Sequence, residues 1–210
     1  MINKKAKNIR IIEVPSEVGA GTRGSSLGVD ALKIAALDFR SGFFKKYRSI
    51  VIPNDNAALH NNPGSRYAKH IRSVLKMYER IGAAVRDTIR DNRFPLLLSG
   101  DHSNAGGTLA GIRMAYPESR VGVIWIDAHA DLHSPYTSPS GNLHGMPLAV
   151  ALNEDNIEEK VNDLDYETID LWEMLKNVGD ICPKIEYRDL VYITLRDFEE
   201  QEDALIKQNK

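Results

Sequence analysis

Short apolar runs that alternate with helical patterns constrain the fold of this chain more than any other feature of its sequence. The runs, each typical of a β-strand, lie at residues 9–14, 49–52, 94–98, 121–126 and 190–194. Helices are predicted over residues 66–91, after Ser103, after His144 and over residues 168–176. Strands separated by helices predict an α/β fold with a parallel sheet covered on both faces, and the run at 121–126 predicts a buried central strand.

Composition narrows the class of protein. The length of 210 residues predicts one domain over residues 1–210, and the formal charge of -2 leaves no basic excess for nucleic acid or anionic lipid. The apolar runs are too short to span a bilayer, and residues 1–7 carry charge without the apolar stretch of a secretory signal. The lone Cys182 excludes an internal disulfide and a thiolate zinc site. We therefore expect a cytoplasmic protein that acts on a small molecule.

Two segments have less specific patterns. Residues 19–24 match G-x-G-x-x-G, a pattern of dinucleotide sites. However, residues 15–18 separate these glycines from the first strand, and Glu17 would repel a pyrophosphate, so a lid-like loop is the favoured interpretation. Residues 153–170 are strongly acidic and predict a solvated excursion.

The strongest motif directly follows the fourth apolar run. It reads Asp127-Ala-His129-Ala-Asp131-Leu-His133. Unpaired carboxylates beside a core strand would cost several kcal/mol, so a cation is expected among them. Carboxylates with imidazoles suit Mn²⁺, Fe²⁺ or Co²⁺, and a further histidine suggests a two-metal site. Acids that cap loops and pair with arginine are the alternative.

Two further segments carry polar groups at the start of helices. The first contains His102, but for this segment taken alone a packing role, or a helix cap formed by Asp101 or Ser103, is the favoured interpretation. The second carries Ser140, Asn142 and His144, which suit a polar substrate and proton transfer, with a capped loop as the alternative.

Together these segments resemble the ureohydrolases, the family of arginase, agmatinase and formimidoylglutamase. The resemblance rests on Gly100-Asp-His-Ser, Asp127-Ala-His-Ala-Asp, Ser140-Gly-Asn-Leu-His-Gly and the opening residues 14–24. It implies a three-layer sandwich with a mainly parallel sheet. It also implies a manganese-dependent hydrolase in which two Mn²⁺ ions share a bridging hydroxide that attacks a guanidinium carbon and releases urea.

The resemblance also implies roles for individual residues. His102 and Asp131 would bind one ion, His129 would bind the other, and Asp127 would bridge them. His144 would be catalytic together with Asp131, by moving the proton that the leaving amine needs. The substrate-binding residues would be His133, Ser140, Asn142, Glu199 and Glu202.

The substrate loop resembles that of arginases in particular. Ser140 and Asn142 can donate to an α-carboxylate, and the acids Glu199 and Glu202 would receive an α-ammonium. We therefore expect hydrolysis of L-arginine to L-ornithine and urea, with agmatinase or formimidoylglutamase activity as alternatives. Arginases often carry Asp at the position of Glu199, and many carry Asn at the position of His133.

The end of the chain departs from the family. Ureohydrolases have a later strand that delivers a second Asp-x-Asp pair to the ions, whereas this chain stops at Lys210. The pair Asp163-Leu-Asp165 follows no apolar run and is expected to be solvated. We expect a fold that is incomplete at its C-terminus. We expect an arginase that is active at full length, with residues 1–210 inactive alone, and the alternative is a non-catalytic remnant. The family also implies a homo-oligomer, a trimer or hexamer.

Overall fold

A computed structural model describes residues 8–209. Residues 1–7, in which no secretory signal is predicted, lie outside the described residues. The strands are β1 (Ile9–Val14), β2 (Ser49–Val51), β3 (Phe94–Ser99), β4 (Val123–Ile126) and β5 (Leu190–Ile193). The α-helices are α1 (Gly28–Asp38), α2 (Phe43–Lys46), α3 (Ile71–Arg90), α4 (Asn104–Ala115), α5 (Pro147–Leu152), α6 (Tyr166–Lys176) and α7 (Glu200–Gln208). No described helix is both long enough and apolar enough to cross a membrane.

All strand pairs in the described residues are parallel, which confirms the α/β prediction. One sheet has the order β2-β1-β3, in which Ile11 lies opposite both Ser49 and Leu96. The other consists of β4 and β5, with Trp125 opposite Tyr192. The carboxyl ends of β3 and β4 therefore lead into the segments that carry the histidines and acids of interest.

The prediction that residues 121–126 form a strand buried throughout is wrong. The strand begins at Val123, and its side chains alternate between two environments. Trp125 is buried, whereas Ile124 and Ile126 are 68% and 72% exposed. The reason is that β4 pairs only with β5 within residues 8–209, and no described element covers the face on which the two isoleucines lie.

The long helix α3 forms the centre of the larger apolar core. It begins at Ile71, later than predicted, because His70 adopts the left-handed conformation with φ 57°. Its neighbour α4 packs so closely that a Cβ on Gly111 would lie 2.6 Å from the carbonyl oxygen of Gly82. The two helices therefore meet backbone to backbone, and α4 is held firmly against α3.

The acidic segment is mainly exposed, as predicted, but two asparagines anchor it. Asn156 and Asn162 are buried, and the amide of Asn162 donates to the carbonyls of Pro135 and Ser138. Asp163 is exposed, and Asp165 accepts from the backbone N–H of Thr168 at the start of α6.

Candidate metal centre

Two loops at the carboxyl ends of parallel strands build the candidate site. The first is the turn between β3 and α4, where a Cβ on Gly100 would lie 2.4 Å from the carbonyl oxygen of Ser16. Only glycine fits there, and the turn presents His102 at the start of α4. The second loop follows Ile126 and carries Asp127, His129 and Asp131. Ligand sites of open parallel sheets lie at this end of the strands.

The two loops bring the four expected metal ligands into contact. The His102 Nδ1 atom lies 2.9 Å from Oδ2 of Asp131 and 3.1 Å from Oδ2 of Asp127. On the other side of Asp127, its Oδ1 atom lies 3.3 Å from Nδ1 of His129. The four side chains thus form a chain of contacts centred on Asp127.

The donor set of His102, Asp127 and Asp131 fits a divalent cation. One ligand atom from each of these residues lies within 4.8 Å of the others. Burial raises the pKa of Asp127, but the N–H of His129 and the charge of His102 outweigh burial and lower it, so this carboxylate stays ionised. Two carboxylates with one imidazole are ligands that Mn²⁺, Fe²⁺ and Co²⁺ accept in proteins.

The imidazole of His102 is held by the same carboxylates. Burial lowers its pKa, but the hydrogen bond to Asp131 and the negative charges of Asp131 and Asp127 outweigh burial and raise it. A cation at this place would meet the same acidic environment that now favours the proton.

Of the two predicted helix caps in residues 99–103, Ser103 stands at the N-cap but its side chain makes no capping hydrogen bond, and Asp101 instead holds the turn. Asp101 is buried, and its Oδ1 accepts from both the backbone N–H and the hydroxyl of Ser103 at the start of α4. Its Oδ2 accepts from the N–H of Gly19, 3.2 Å away. Burial raises its pKa, although these hydrogen bonds oppose the change. Asp101 therefore shapes the turn, and the His102 side chain faces the other acids.

Sequence reasoning missed Trp125. Its indole stacks on the His102 ring, with centroids 4.7 Å apart and planes at 23°, and its Nε1 donates to Oδ2 of Asp131 at 3.2 Å. Within an apolar run a tryptophan indicates only burial. Its position two residues before Asp127 could have indicated a place beside the metal ligands, because alternate residues of a strand share a face.

The opening loop, residues 15–24, lies against the predicted substrate loop. The backbone N–H of His144 donates to the carbonyl of Gly19, while the His144 side chain is exposed. A Cβ on Gly21 would lie 2.7 Å from Oδ1 of Asn142, and this buried oxygen has no hydrogen-bond partner within residues 8–209. The hydroxyl of Ser140 is exposed and accepts from the N–H of Asn142.

The carboxylate of Glu17 occupies backbone N–H groups of the glycine-rich loop. This buried carboxylate accepts from the N–H groups of Gly24 and Ser26 and from Nε of Arg23. Backbone donors that a dinucleotide site would offer to pyrophosphate are thus occupied by a side chain of the same loop. Burial raises the pKa of Glu17, but these hydrogen bonds outweigh burial and lower it to about 2.

The remaining predicted residues form a second cluster. His133 Nε2 contacts Oε2 of Glu199 and lies 3.6 Å from Oε2 of Glu202, while Nδ1 lies 3.1 Å from the Thr137 hydroxyl. Glu202 is 4% exposed and accepts from the N–H groups of Leu132 and Glu199. Glu202 therefore connects α7 to the loop that follows β4, whereas the side chain of Glu199 is 57% exposed.

Comparison with known proteins agrees with these motifs. The family model described as Arginase family matches residues 7–210. Arginase from Brevibacillus brevis is 35% identical over 207 residues, which cover 96% of this chain and 61% of that protein. Arginase from Bacillus subtilis is 36% identical over 206 residues, with 97% and 62% covered.

The three-dimensional structure is also similar to that of a solved arginase. The native structure of arginase from Bacillus caldovelox aligns with a TM-score of 0.77 at 35% identity, covering 97% of this chain and 62% of that one. The chain spans about three fifths of the length of the curated relatives it matches.

Proposed function

The chain belongs to the arginase family, and we propose that the whole protein hydrolyses L-arginine to L-ornithine and urea with Mn²⁺ as its cofactor. The observation that carries this proposal is the contact of His102 with both Asp127 and Asp131 at the carboxyl ends of β3 and β4. Agmatinase and formimidoylglutamase activities are the alternatives within the family.

The proposal assigns the ligands as the contacts group them. His102 and Asp131 would hold one ion, His129 would hold a second, and Asp127 would be shared between them. Asp127 suits the shared position because its Oδ2 already faces His102 while its Oδ1 faces His129. A guanidinium group is resonance-stabilised and resists water, and bound divalent cations supply the activated water that its hydrolysis requires.

The histidine of the substrate loop has the freedom that proton transfer requires. The His144 backbone is fixed by the carbonyl of Gly19, while the imidazole is exposed. A fixed backbone with a free ring suits a residue that holds a proton and passes it to the leaving amine. Asp131 is the second proposed catalytic residue, and its Oδ2 lies 2.9 Å from Nδ1 of His102.

Recognition of the amino-acid end of arginine is assigned to groups at the rim. The Ser140 hydroxyl and the Asn142 amide can donate to the α-carboxylate, and the exposed carboxylate of Glu199 can receive the α-ammonium. The carboxylate of Glu202 supports Glu199 by accepting a hydrogen bond from the Glu199 backbone N–H. Because His133 contacts Glu199, an arginine ammonium competes with His133 for this carboxylate.

Residues 1–210 alone offer few ligands for a second ion. Within residues 8–209, the position next to His129 has only Asp127 and the exposed Asp197, whose Oδ2 lies 3.7 Å from Nε2 of His129. The pair Asp163 and Asp165 lies elsewhere, in the acidic segment. We therefore expect residues 1–210 to bind one ion and to be inactive.

Hydrolysis by the whole protein tests the proposed reaction, with urea release measured from arginine and from agmatine and formamide release measured from formimidoylglutamate. We expect arginine to be preferred, and a preference for agmatine would contradict the carboxylate recognition assigned to Ser140 and Asn142. Family membership also leads us to expect a cytoplasmic trimer or hexamer, and light scattering checks the oligomeric state.

A further inference from the structure

Trp125 contacts two of the proposed ligands at once. It lies on the inner face of β4 and is 7% exposed. Its ring stacks on the His102 imidazole, and its N–H donates to Asp131. The oxygen that accepts this hydrogen bond is Oδ2, which is also the oxygen that lies 2.9 Å from His102. A single side chain therefore fixes the plane of the imidazole and the direction of the carboxylate.

The backbone of Asp131 makes this support significant. Asp131 has φ 54°, a left-handed conformation that is uncommon outside glycine and is maintained only by surrounding contacts. The indole N–H is one such contact, because a buried N–H without a partner costs free energy. Groups that hydrogen-bond to metal ligands set their orientation and affect metal affinity by about 10–100-fold.

We propose that Trp125 is a positioning residue of the metal centre, which orients His102 and Asp131 before a cation binds. This inference rests on the proposed function, because it requires that these residues bind a metal. It predicts that metal affinity depends on the indole N–H and that the indole senses the arrival of a cation at His102.

The chain offers a matched control, because its only other tryptophan, Trp172, has a similar environment. Trp172 is also buried, and its Nε1 also donates to an aspartate, Oδ1 of Asp155 at 2.7 Å. Its hydrogen bond and its cation–π contact are with Asp155 and Lys176, which are not proposed metal ligands. W125F and W172F each keep an aromatic ring and lose one buried N–H donor, so a general loss of packing affects both variants alike.

The first measurement is the Kd of Mn²⁺ for the 210-residue chain and both variants, by isothermal titration calorimetry. We expect W125F to weaken binding by about 10-fold or more, and W172F to bind as the wild type does. Equal affinities of W125F and wild type would overturn the proposal, as would an equal loss in W172F. A wild-type chain that does not bind Mn²⁺ would overturn the proposed metal centre as well.

The second measurement needs no change at position 125. In W172F the only indole is Trp125, and in W125F it is Trp172, so each emission spectrum reports one site. We expect Mn²⁺ to change the emission of W172F, with the same midpoint as the calorimetric titration, and to leave that of W125F unchanged. An unresponsive W172F spectrum at saturating Mn²⁺ would overturn the proposal even if W125F did not fold.

Discussion

The buried carboxylate of Glu17 provides a stability prediction with a defined pH dependence. Its pKa falls from the ordinary value of 4.5 to about 2 in the folded chain, because hydrogen bonds to Ser26, Gly24 and Arg23 outweigh burial. At about 1.4 kcal/mol for each pH unit, this difference corresponds to about 3 kcal/mol of folding free energy at neutral pH. We expect E17Q to lose a similar amount, because it removes the charge and keeps the size.

The sign of the pH dependence follows from the direction of the shift. A carboxyl whose pKa is lower in the folded state stabilises the fold fully above about pH 4.5, its value in the unfolded chain. This stabilisation is lost as the pH falls from about 4.5 towards about 2. The difference in unfolding free energy between wild type and E17Q should therefore be constant near neutral pH and smaller at about pH 3.5.

Urea unfolding followed by circular dichroism at both pH values measures this difference, with R23A as the companion variant. Arg23 is 55% exposed, so its ion pair with Glu17 is screened and should contribute at most about 1 kcal/mol. The backbone donors of Gly24 and Ser26 should therefore account for most of the effect. A cost of E17Q that does not change with pH, or an R23A cost equal to it, would refute the reasoning.

Three further predictions concern the metal site and the core. D127A should abolish Mn²⁺ binding measured by calorimetry, because Asp127 faces both His102 and His129. H133A should leave Mn²⁺ binding little changed. Equal binding by wild type and D127A would contradict the ligand assignment. Purified residues 1–210 should bind one Mn²⁺ per chain by elemental analysis and release no urea from arginine, and two ions with turnover would argue against this. G111A should destabilise the chain by about 1–3 kcal/mol in thermal unfolding, since its Cβ would meet Gly82 and Val85. G28A, where nothing lies within 4 Å of the added carbon, is the control and should be neutral or stabilising.

Local patterns were sufficient to predict the elements that carry the site. The strand predicted at residues 94–98 matches β3 to within one residue, and the helix expected after Ser103 begins at Asn104, because periodicity and turn residues act over a few positions. The metal-binding interpretation of residues 127–131 likewise depended on residue types and spacing. It remains a prediction until metal is measured.

Features that depend on distant contacts could not be predicted. His133 contacts Glu199, 66 residues away, and no local pattern pairs them. Ile124 reads as a core residue, and its exposure depends on which elements lie beside β4. The apolar run likewise predicts that Trp125 is a core residue. Its proposed positioning role depends on the stacking of its ring on His102 and on the hydrogen bond from its N–H to Asp131.

The backbone contact between α3 and α4 has a consequence for the metal chemistry. His102 stands two residues before α4, so we expect a change in the packing of α4 on α3 at Gly111 to shift the turn that carries the imidazole. Metal sites are recognised by ligand distances that agree with the expected values within about 0.2 Å. Apolar substitutions in α3 should therefore alter the affinity of the proposed centre for a cation, although they add or remove no ligand.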